Sequence, residues 1–448
     1  MIGPVTRLIA LIALVLQFLW PRYLFFQVAG KGVSGFTLIA VALLASALAS
    51  FAIRHRFRQN VLAGLMRGKL LVGAFVGLWL WRLFCDLAVG AGGQAAFGTF
   101  LDFIYLGSWF ISGVIIFADG RLRSALPYAI FFSVILATFF GLLEYQMGTP
   151  IARLLGLGNM SLELNQFTMD LNRGGMMRVR SLFTHPIVYG QFMGAMAPFA
   201  LFLIFSRKLR DKFLGVMMAV AIGVSLVLCN ARSPLVVTIV GIVCFMAFYL
   251  FDLRRRVRLF FAVFGLAFAV AGTPVALTVL GQYQSGRSSE EANSSAARSI
   301  QMDRGLTALR ESPIIGYGAG SAGEYAATIG GIGGRSSVDN YYLTVAVESG
   351  YVGLTFFILL LVAMGRQGIR AIYTTPWDRE RSLNCAALGT IFAFASGLTV
   401  ISISDALSIM FQMAGFLVAA TGVPAIVRRE GRTARGRAAV PDTPAVPA

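Results

Sequence analysis

Apolar residues fall in long blocks along the chain, and each block is close to the ~20 residues that a helix needs to cross a bilayer. Short basic loops separate the blocks. This pattern predicts an all-α, polytopic membrane protein with about twelve transmembrane helices. The predicted spans are residues 5–20, 34–53, 69–89, 101–118, 124–145, 186–206, 213–229, 234–251, 258–280, 342–364, 383–403 and 406–427.

The composition supports a membrane protein, since 57% of the 448 residues are hydrophobic and 13% are charged. Average globular chains are roughly 45–50% apolar and about 25% charged, so a soluble protein is excluded. In the first block only Arg7 precedes the apolar run, and Trp20-Pro21-Arg22 follows it in place of a small-residue cleavage site. We therefore expect a retained first helix and not a cleaved signal peptide.

A formal net charge of +18 is compatible with a nucleic-acid partner, but the distribution of the basic residues along the chain argues against one. Lys and Arg concentrate in short loops, as the positive-inside rule requires. With the N-terminus in the cytoplasm, every predicted inner loop is basic, whereas the outer loop 90–100 has no charge. We expect an even number of helices and two cytoplasmic termini. A transmembrane domain at 1–429 would precede a disordered cytoplasmic tail at 430–448.

Two long segments, 146–185 and 281–341, fall on the outer side and hold most of the remaining arginines. Long loops escape the positive-inside rule, so these arginines need another explanation.

The second of these outer segments contains a predicted helix at about 295–310, which a Ser-Pro pair ends. Arg298, Met302, Gly305 and Leu309 share one largely apolar face of this helix, so Arg298 is expected to point inward. Arg304 and Arg310 lie off that face.

A glycine-rich stretch follows, from Gly316 to Gly334. It looks like a phosphate-binding loop, but no strand precedes it and nucleotide is scarce outside the cell. A mobile or tightly turned loop over a cavity is the favoured interpretation. Asp339 and Asn340 come next, at the outer mouth of the tenth predicted helix. Asp339 can cap that helix or act as a base beside an outer cavity.

Further basic residues stand at other outer helix ends. Arg232 lies in a tight turn between two predicted helices, where it can snorkel to the interface or bind a substrate. Arg178, Arg180 and His185 precede the sixth predicted helix. His185 is either a structural residue or a reserve base.

Inside the membrane, Arg82 and Asp86 are four residues apart on one helix, so we expect them to neutralise each other. Glu144 lies near an outer helix end and can face the same cavity as the outer arginines. The outer segments contain no Asp-x-Asp or His-rich cluster. We therefore expect no metal and no cofactor.

Together these segments resemble the O-antigen polymerase/ligase family of bacterial envelope glycosyltransferases. The similar parts are the Asn-x-Arg-Ser turn at 230–233, the run RSIQMDRGLTALRESPIIGYGAG at 298–320 and the run VDNYYLTVAVESGYVGL at 338–354. With the helix count and the large outer loop, the resemblance covers most of the chain. Asp339 stands where the ligase pattern has His, which disfavours a ligase and favours a polymerase of O-antigen, capsule or exopolysaccharide repeat units.

The resemblance implies a GT-C-like membrane glycosyltransferase whose donor is a sugar chain on polyprenyl diphosphate. Arg232 and Arg298 are assigned to the diphosphate, because Arg stays charged and binds oxygens in bidentate fashion. Asp339 is assigned to a base or acceptor-orienting role, in a metal-independent, inverting transfer. Further substrate-binding candidates are Arg178, Arg180, His185, Arg304, Asn340, Tyr341 and Glu348.

The expected partners are the polyprenyl-diphosphate-linked oligosaccharide, membrane lipid, and chain-length regulator, flippase or export proteins, with no nucleic acid. The expected location is the bacterial inner membrane. Two alternatives stay open: a ligase that joins the glycan to a lipid or protein, and a transporter of glycolipid or small solute. A transporter should concentrate polar residues and broken helices at the membrane midplane.

Overall fold

The computed structural model describes residues 4–19, 25–28, 31–53, 55–90, 92–154, 172–173, 176–250, 289–326, 338–376, 379–400 and 405–422. Its regular structure there is helical apart from two short antiparallel hairpins, so the predicted all-α class is confirmed. The helices are α1 (Pro4–Leu19), α2 (Gly35–Ile53), α3 (His55–Arg67), α4 (Lys69–Ala88), α5 (Gly93–Phe117), α6 (Gly120–Met147), α7 (Ile151–Leu154), α8 (Pro186–Ala195), α9 (Ala197–Ile204), α10 (Leu209–Leu228), α11 (Ser233–Leu250), α12 (Ser289–Glu311), α13 (Ala322–Tyr325), α14 (Tyr341–Thr374), α15 (Arg379–Gly397) and α16 (Asp405–Gly422). The hairpins pair β1 (Phe25–Val28) with β2 (Lys31–Ser34), and β3 (Asn172–Arg173) with β4 (Met176–Met177).

Every predicted span that falls within the described ranges overlaps a helix. The predicted span 258–280 and the predicted tail 430–448 lie outside the described residues. Among the described residues, seven helical segments are long and apolar enough to cross a membrane: α4, α5, α6, α8 with α9, α10, α11 and α14. Shorter apolar helical stretches occupy 7–16, 38–53 and 407–421. Neither α3 nor the hairpins were predicted.

Helices α5 and α16 pack closely because each presents a glycine at the contact. A Cβ atom on Gly113 would lie 2.8 Å from the Gln412 carbonyl oxygen, and one on Gly415 would overlap the Phe110 carbonyl oxygen. Lipid removes the hydrophobic drive between helices, so close backbone approach at small residues provides the attraction through van der Waals packing.

Ion pairs join segments that the charge pattern predicts to lie on one side of the membrane. Arg7 Nη2 lies 3.2 Å from Asp119 Oδ2. Arg379 Nη2 lies 3.0 Å from Asp211 Oδ2, whose carboxylate is fully buried. The first pair brings the start of α1 to the end of α5, and the second brings the start of α10 to the start of α15.

Helix α14 is interrupted near its N-terminal end. Ser349 and Gly350 have non-helical backbone angles, and Gly350 has a φ of +67°. The sequence pattern predicts a shorter, continuous helix at 342–364, so the break was missed. The segment 312–322 fills it: Tyr351 N donates to the Pro313 carbonyl oxygen at 2.8 Å. Broken backbone at membrane depth is tolerated where protein surrounds it.

Gly350→Ala is expected to destabilise the fold by more than about 1–2 kcal/mol, the cost of left-handed backbone for an L-residue. The added Cβ would also overlap the Ile314 carbonyl oxygen. Thermal unfolding in detergent measures the effect. Gly223→Ala on α10 is the matched control, since nothing lies within 4 Å of its Cβ position. Equal melting temperatures for the two variants would contradict the prediction.

Candidate active site

Arg298 and Asp339 come together at the N-terminal end of α14. Arg298 Nε lies 3.9 Å from Asp339 Oδ2, and the two side chains are 38% and 43% exposed. This distance is within reach of charge attraction but too long for a hydrogen bond. Within the described part of the chain Arg298 Nε has no hydrogen-bond partner. An ion pair that is half open to solvent can therefore receive a substrate oxygen.

The inner face of α12 holds this pair in place. Gln301 is buried, and its Oε1 accepts a hydrogen bond from Asp339 N at 3.0 Å. Gly305 lies against Leu343, where a Cβ would have no room. Gly305 and Leu309 face inward as predicted, but Met302 is 41% exposed, so its predicted inward position is wrong. Gln301 takes that place because the contact line follows residues 301, 305 and 308.

Asn340, not Asp339, caps helix α14. Its Oδ1 accepts from Tyr342 N at 3.0 Å and from Leu343 N at 3.2 Å. An amide oxygen at this position satisfies N–H groups that the first helical turn leaves unpaired. The capping alternative for Asp339 is therefore excluded, and its carboxylate is left to face Arg298.

The pKa of Asp339 is raised above its ordinary value, because partial burial penalises the charged carboxylate. The positive charge of Arg298 opposes this shift. Among the described charged groups, Arg298 is the one that acts on Asp339. A carboxylate with a raised pKa that remains beside a cation has the character of a general base.

Tyr341 and Glu348 point into the protein. The Tyr341 ring packs edge-on against Phe357, with centroids 5.3 Å apart. Glu348 is buried, and its Oε2 lies 2.6 Å from Arg82 Nη2. Arg82 also hydrogen-bonds the Tyr341 side chain.

The predicted pairing of Arg82 with Asp86 is wrong. Arg82 pairs with Glu348 instead, whereas Asp86 Oδ1 accepts from Ala319 N at 2.6 Å. The glycine-rich segment is tightly turned as expected at Gly316, Gly318 and Gly320, all with positive φ. Residues 327–337, which include the later glycines, lie outside the described residues.

A second basic group forms around the 229–232 turn. Arg178 Nε donates to the Cys229 carbonyl oxygen at 3.4 Å, and Val179 N donates to that of Leu228 at 3.1 Å. Arg180 is buried, and its backbone N donates to Glu144 Oε1 at 3.2 Å. The structure thus brings Arg178 and Arg180 to the turn that carries Arg232.

His185 caps helix α8 with its ring. Its Nδ1 accepts from Ile187 N at 3.1 Å, so the neutral ring carries its proton on Nε2. Burial, with the charges of Arg178 and Arg180, lowers the pKa of His185 to about 4. The ring is therefore neutral at neutral pH, and its one basic nitrogen is already engaged.

The helices next to the two groups both contact the C-terminal end of α15. Gln191 Nε2, on α8, donates to the Gly397 carbonyl oxygen at 3.1 Å. Tyr341 N, at the start of α14, donates to the next carbonyl oxygen, that of Leu398, at 2.9 Å. The second turn of α8 and the first residue of α14 therefore contact the same end of α15.

Residues 217–358 match the family model described as O-antigen ligase. This match supports an O-antigen ligase/polymerase-like family. The matched region contains Arg232, Arg298 and Asp339, which sequence reasoning had placed in the site. The match supports a membrane enzyme of the O-antigen ligase/polymerase type, and with it glycosyl transfer. No curated protein matches the chain.

The match begins at residue 217, so Arg178, Arg180 and His185 lie outside it. It ends at residue 358, eight residues after Gly350 in the break of α14. Arg304 lies on the exposed side of α12, away from the Arg298 pair. No group of three or more His, Cys, Asp or Glu side chains able to hold a metal occurs among the described residues.

Sequence reasoning missed two contacts that residues of the matched region make, one by Gln301 and one by Glu348. Gln301 was overlooked because it is a polar residue beside an apolar stripe, although it stands one helical turn after Arg298 and on the same side. The Arg82–Glu348 pair spans 266 residues, and no local pattern marks such a contact.

Proposed function

We propose that the protein is a polysaccharide polymerase that joins polyprenyl-diphosphate-linked repeat units at the outer membrane surface. The observation that carries the proposal is the half-exposed pair of Arg298 and Asp339, 3.9 Å apart at the N-terminal end of α14. Its members are a cation suited to phosphate oxygens and a carboxylate with a raised pKa. The match to the O-antigen ligase family supports glycosyl transfer as the reaction.

The proposed step is a direct displacement at the anomeric carbon of the donor. An acceptor hydroxyl gives its proton to Asp339, and its oxygen attacks the anomeric carbon. The bond from that carbon to the diphosphate oxygen breaks, and the diphosphate leaves with the electron pair. Arg298 and Arg232 stabilise the negative charge that develops on the leaving group. Inversion at the anomeric carbon follows from the single displacement.

The other basic residues take secondary roles in the proposal. Arg178 and Arg180 add positive charge around the turn of Arg232, which favours approach of an anionic substrate. Arg304, on the exposed side of α12, is a candidate for contacts with the glycan. His185 is disfavoured as the base, because its Nδ1 lone pair is engaged by Ile187 N.

Asn340, Tyr341 and Glu348 shape the site from within the protein. Asn340 fixes the first turn of α14, and Tyr341 and Glu348 contact Arg82. We assign them to support of the Arg298–Asp339 pair and not to direct contact with the glycan.

A polymerase is favoured over a ligase because Asp339 stands where the ligase pattern has His. We place the enzyme in the bacterial inner membrane with both termini in the cytoplasm, so that the Arg298 pair faces the periplasm. Chain-length regulator, flippase or export proteins are the proposed partners. The acceptor is then the non-reducing end of another lipid-linked glycan, and no cofactor is required.

Deletion in the host tests polymerase against ligase. Extraction of lipid-linked glycans and analysis of their length should show that single repeat units accumulate. Accumulation of full-length polymer would identify a ligase instead. An unchanged glycan profile would exclude both.

Arg298→Ala is expected to reduce glycosyl transfer by about 10²–10³-fold, the usual effect of removing one group that stabilises a developing negative charge. Arg310→Ala is the matched control, because Arg310 is an exposed arginine on the same helix. Polymer length and initial rates in membranes measure the effect. Equal rates for the two variants, at equal protein level, would refute the role of Arg298.

Transfer is expected to fall at low pH as Asp339 becomes protonated. The raised pKa places this fall above the ordinary Asp value of about 3.9. Arg298→Gln removes the charge that lowers the pKa, so the fall in the residual rate should move to higher pH. Initial rates between about pH 4 and pH 8 measure the shift. An unmoved acid limb would show that Asp339 is not the titrating base.

A further inference from the structure

The glycine-rich segment after α12 turns its backbone amides toward carboxylates of the protein itself. Ala319 N donates to Asp86 Oδ1 at 2.6 Å, and Gly320 N donates to Glu348 Oε1 at 2.9 Å. Gly318 and Gly320 supply the positive φ, +86° and +83°, that lets successive amides point to one side. Such concave arrays of amides are anion sites, and here the anions come from the membrane helices α4 and α14.

The same segment replaces the turn that α14 lacks. Tyr317 N and Gly318 N donate to the carbonyl oxygens of Val347 and Glu348, at 3.0 and 2.9 Å. Trp81 Nε1, on α4, donates to the Ser349 carbonyl oxygen at 2.9 Å. These hydrogen bonds satisfy carbonyl groups that the break would otherwise leave unpaired. The segment therefore packs into the break of α14.

The carboxylates in this contact are costly to bury. Asp86 is 2% exposed and Glu348 is 7% exposed, and of these two carboxylates Arg82 forms an ion pair with Glu348 only. Asp86 Oδ2 has no hydrogen-bond partner among the described groups. A leucine at position 86 would pack in a membrane helix without this desolvation cost, so stability alone does not account for an aspartate there.

The segment is in turn tied to the helix that carries Arg298. The Tyr317 hydroxyl donates to the Ala308 carbonyl oxygen, on α12, at 3.2 Å. About two turns earlier on α12, Gln301 accepts a hydrogen bond from Asp339 N. A continuous set of contacts thus runs from Asp86 to the Arg298–Asp339 pair.

We propose that Asp86 and Glu348 are positioning residues for glycosyl transfer. By holding the amides of Ala319 and Gly320, they fix the segment in the break of α14 and thereby fix α12, with Arg298, against Asp339. This inference rests on the proposed function of the Arg298–Asp339 pair.

Asp86→Ala and Asp86→Asn form the test pair, because asparagine keeps an Oδ1 acceptor for Ala319 N and alanine does not. Spin labels at Ser299 on α12 and Thr355 on α14, both exposed, report the placement of the helices without any need for activity. Asp86→Ala should broaden or shift the distance distribution, and Asp86→Asn should preserve it. Glu324→Gln, an exposed carboxylate beside the segment, is the control.

Kinetics then connect placement with the reaction. Asp86→Ala should lower kcat by up to about 10²-fold, the cost of misplacing a reacting group by roughly 1 Å, and leave KM nearly unchanged. The acid limb of the pH–rate profile of Asp86→Ala should move to higher pH, as it does in Arg298→Gln. The double variant Asp86→Ala with Arg298→Gln should show no additional shift. Asp86→Asn should behave as the wild type.

Two results would overturn the inference. One is an unchanged distance distribution in Asp86→Ala. The other is a changed distribution with the acid limb at its wild-type position, since Asp86 would then serve the fold alone. Failure of the proposed function itself is recognised separately, because Arg298→Gln would then leave transfer unaffected whatever happens at Asp86.

Discussion

Asp339→Asn is expected to lower the rate of glycan elongation by about 10²–10⁴-fold, the usual contribution of a general base. Asparagine keeps the size of the side chain but cannot accept the proton of the acceptor hydroxyl. The backbone N of Asp339 keeps its hydrogen bond to Gln301, and Asn340 still caps α14. The loss should therefore fall on kcat, with little change in protein level or melting temperature. Initial rates with saturating lipid-linked donor measure it.

Asp303→Asn is the matched control for this experiment. Asp303 is exposed on the same helix as Arg298 and lies away from the buried face. It should elongate polymer at the wild-type rate. If Asp339→Asn also retains more than about one tenth of the wild-type rate, proton removal by Asp339 is not part of the reaction.

The long apolar blocks made the helices predictable, because crossing a bilayer imposes both length and composition on a segment. The interior of α14 was harder to predict. Ser349-Gly350 lies inside an apolar run, and the missing turn is replaced by a segment that precedes it by about thirty residues. The sequence around Ser349-Gly350 therefore does not indicate which segment replaces the missing turn.

The Arg298–Asp339 pair was predictable because each residue stands at an identifiable place, one on a helix face and the other at a helix entrance. The sequence left open whether Asp339 caps α14 or acts as a base, and the structure gives the cap to its neighbour Asn340. The backbone angles at the start of α14 decide whether the side chain of Asp339 or of Asn340 accepts from the first N–H groups of the helix. Residue composition does not determine these angles. The partner of Arg82 was wrong for a related reason: spacing along one helix proposes Asp86, but the folded chain offers Glu348 at 2.6 Å.

Glu348→Gln is expected to destabilise the protein by about 3–5 kcal/mol, the cost of breaking a buried ion pair from one side. The glutamine Oε1 can still accept from Gly320 N, so the substitution isolates the charge. Arg82, which is 8% exposed, would lose the carboxylate with which it forms its salt bridge in the described part of the chain. The melting temperature in detergent and the fraction inserted in membranes measure the effect.

The double variant Arg82→Met with Glu348→Gln separates charge from packing. Neutral groups then fill both positions, and replacing both partners of a buried pair is often close to neutral. The remaining loss should be about 1–3 kcal/mol, because the Tyr341 hydroxyl loses its contact with Arg82. A double variant as unstable as Glu348→Gln alone would show that the pair is not coupled. Because the glutamine Oε1 still accepts from Gly320 N, glycosyl transfer should recover together with stability. Recovered stability without recovered transfer would contradict the positioning role of Glu348.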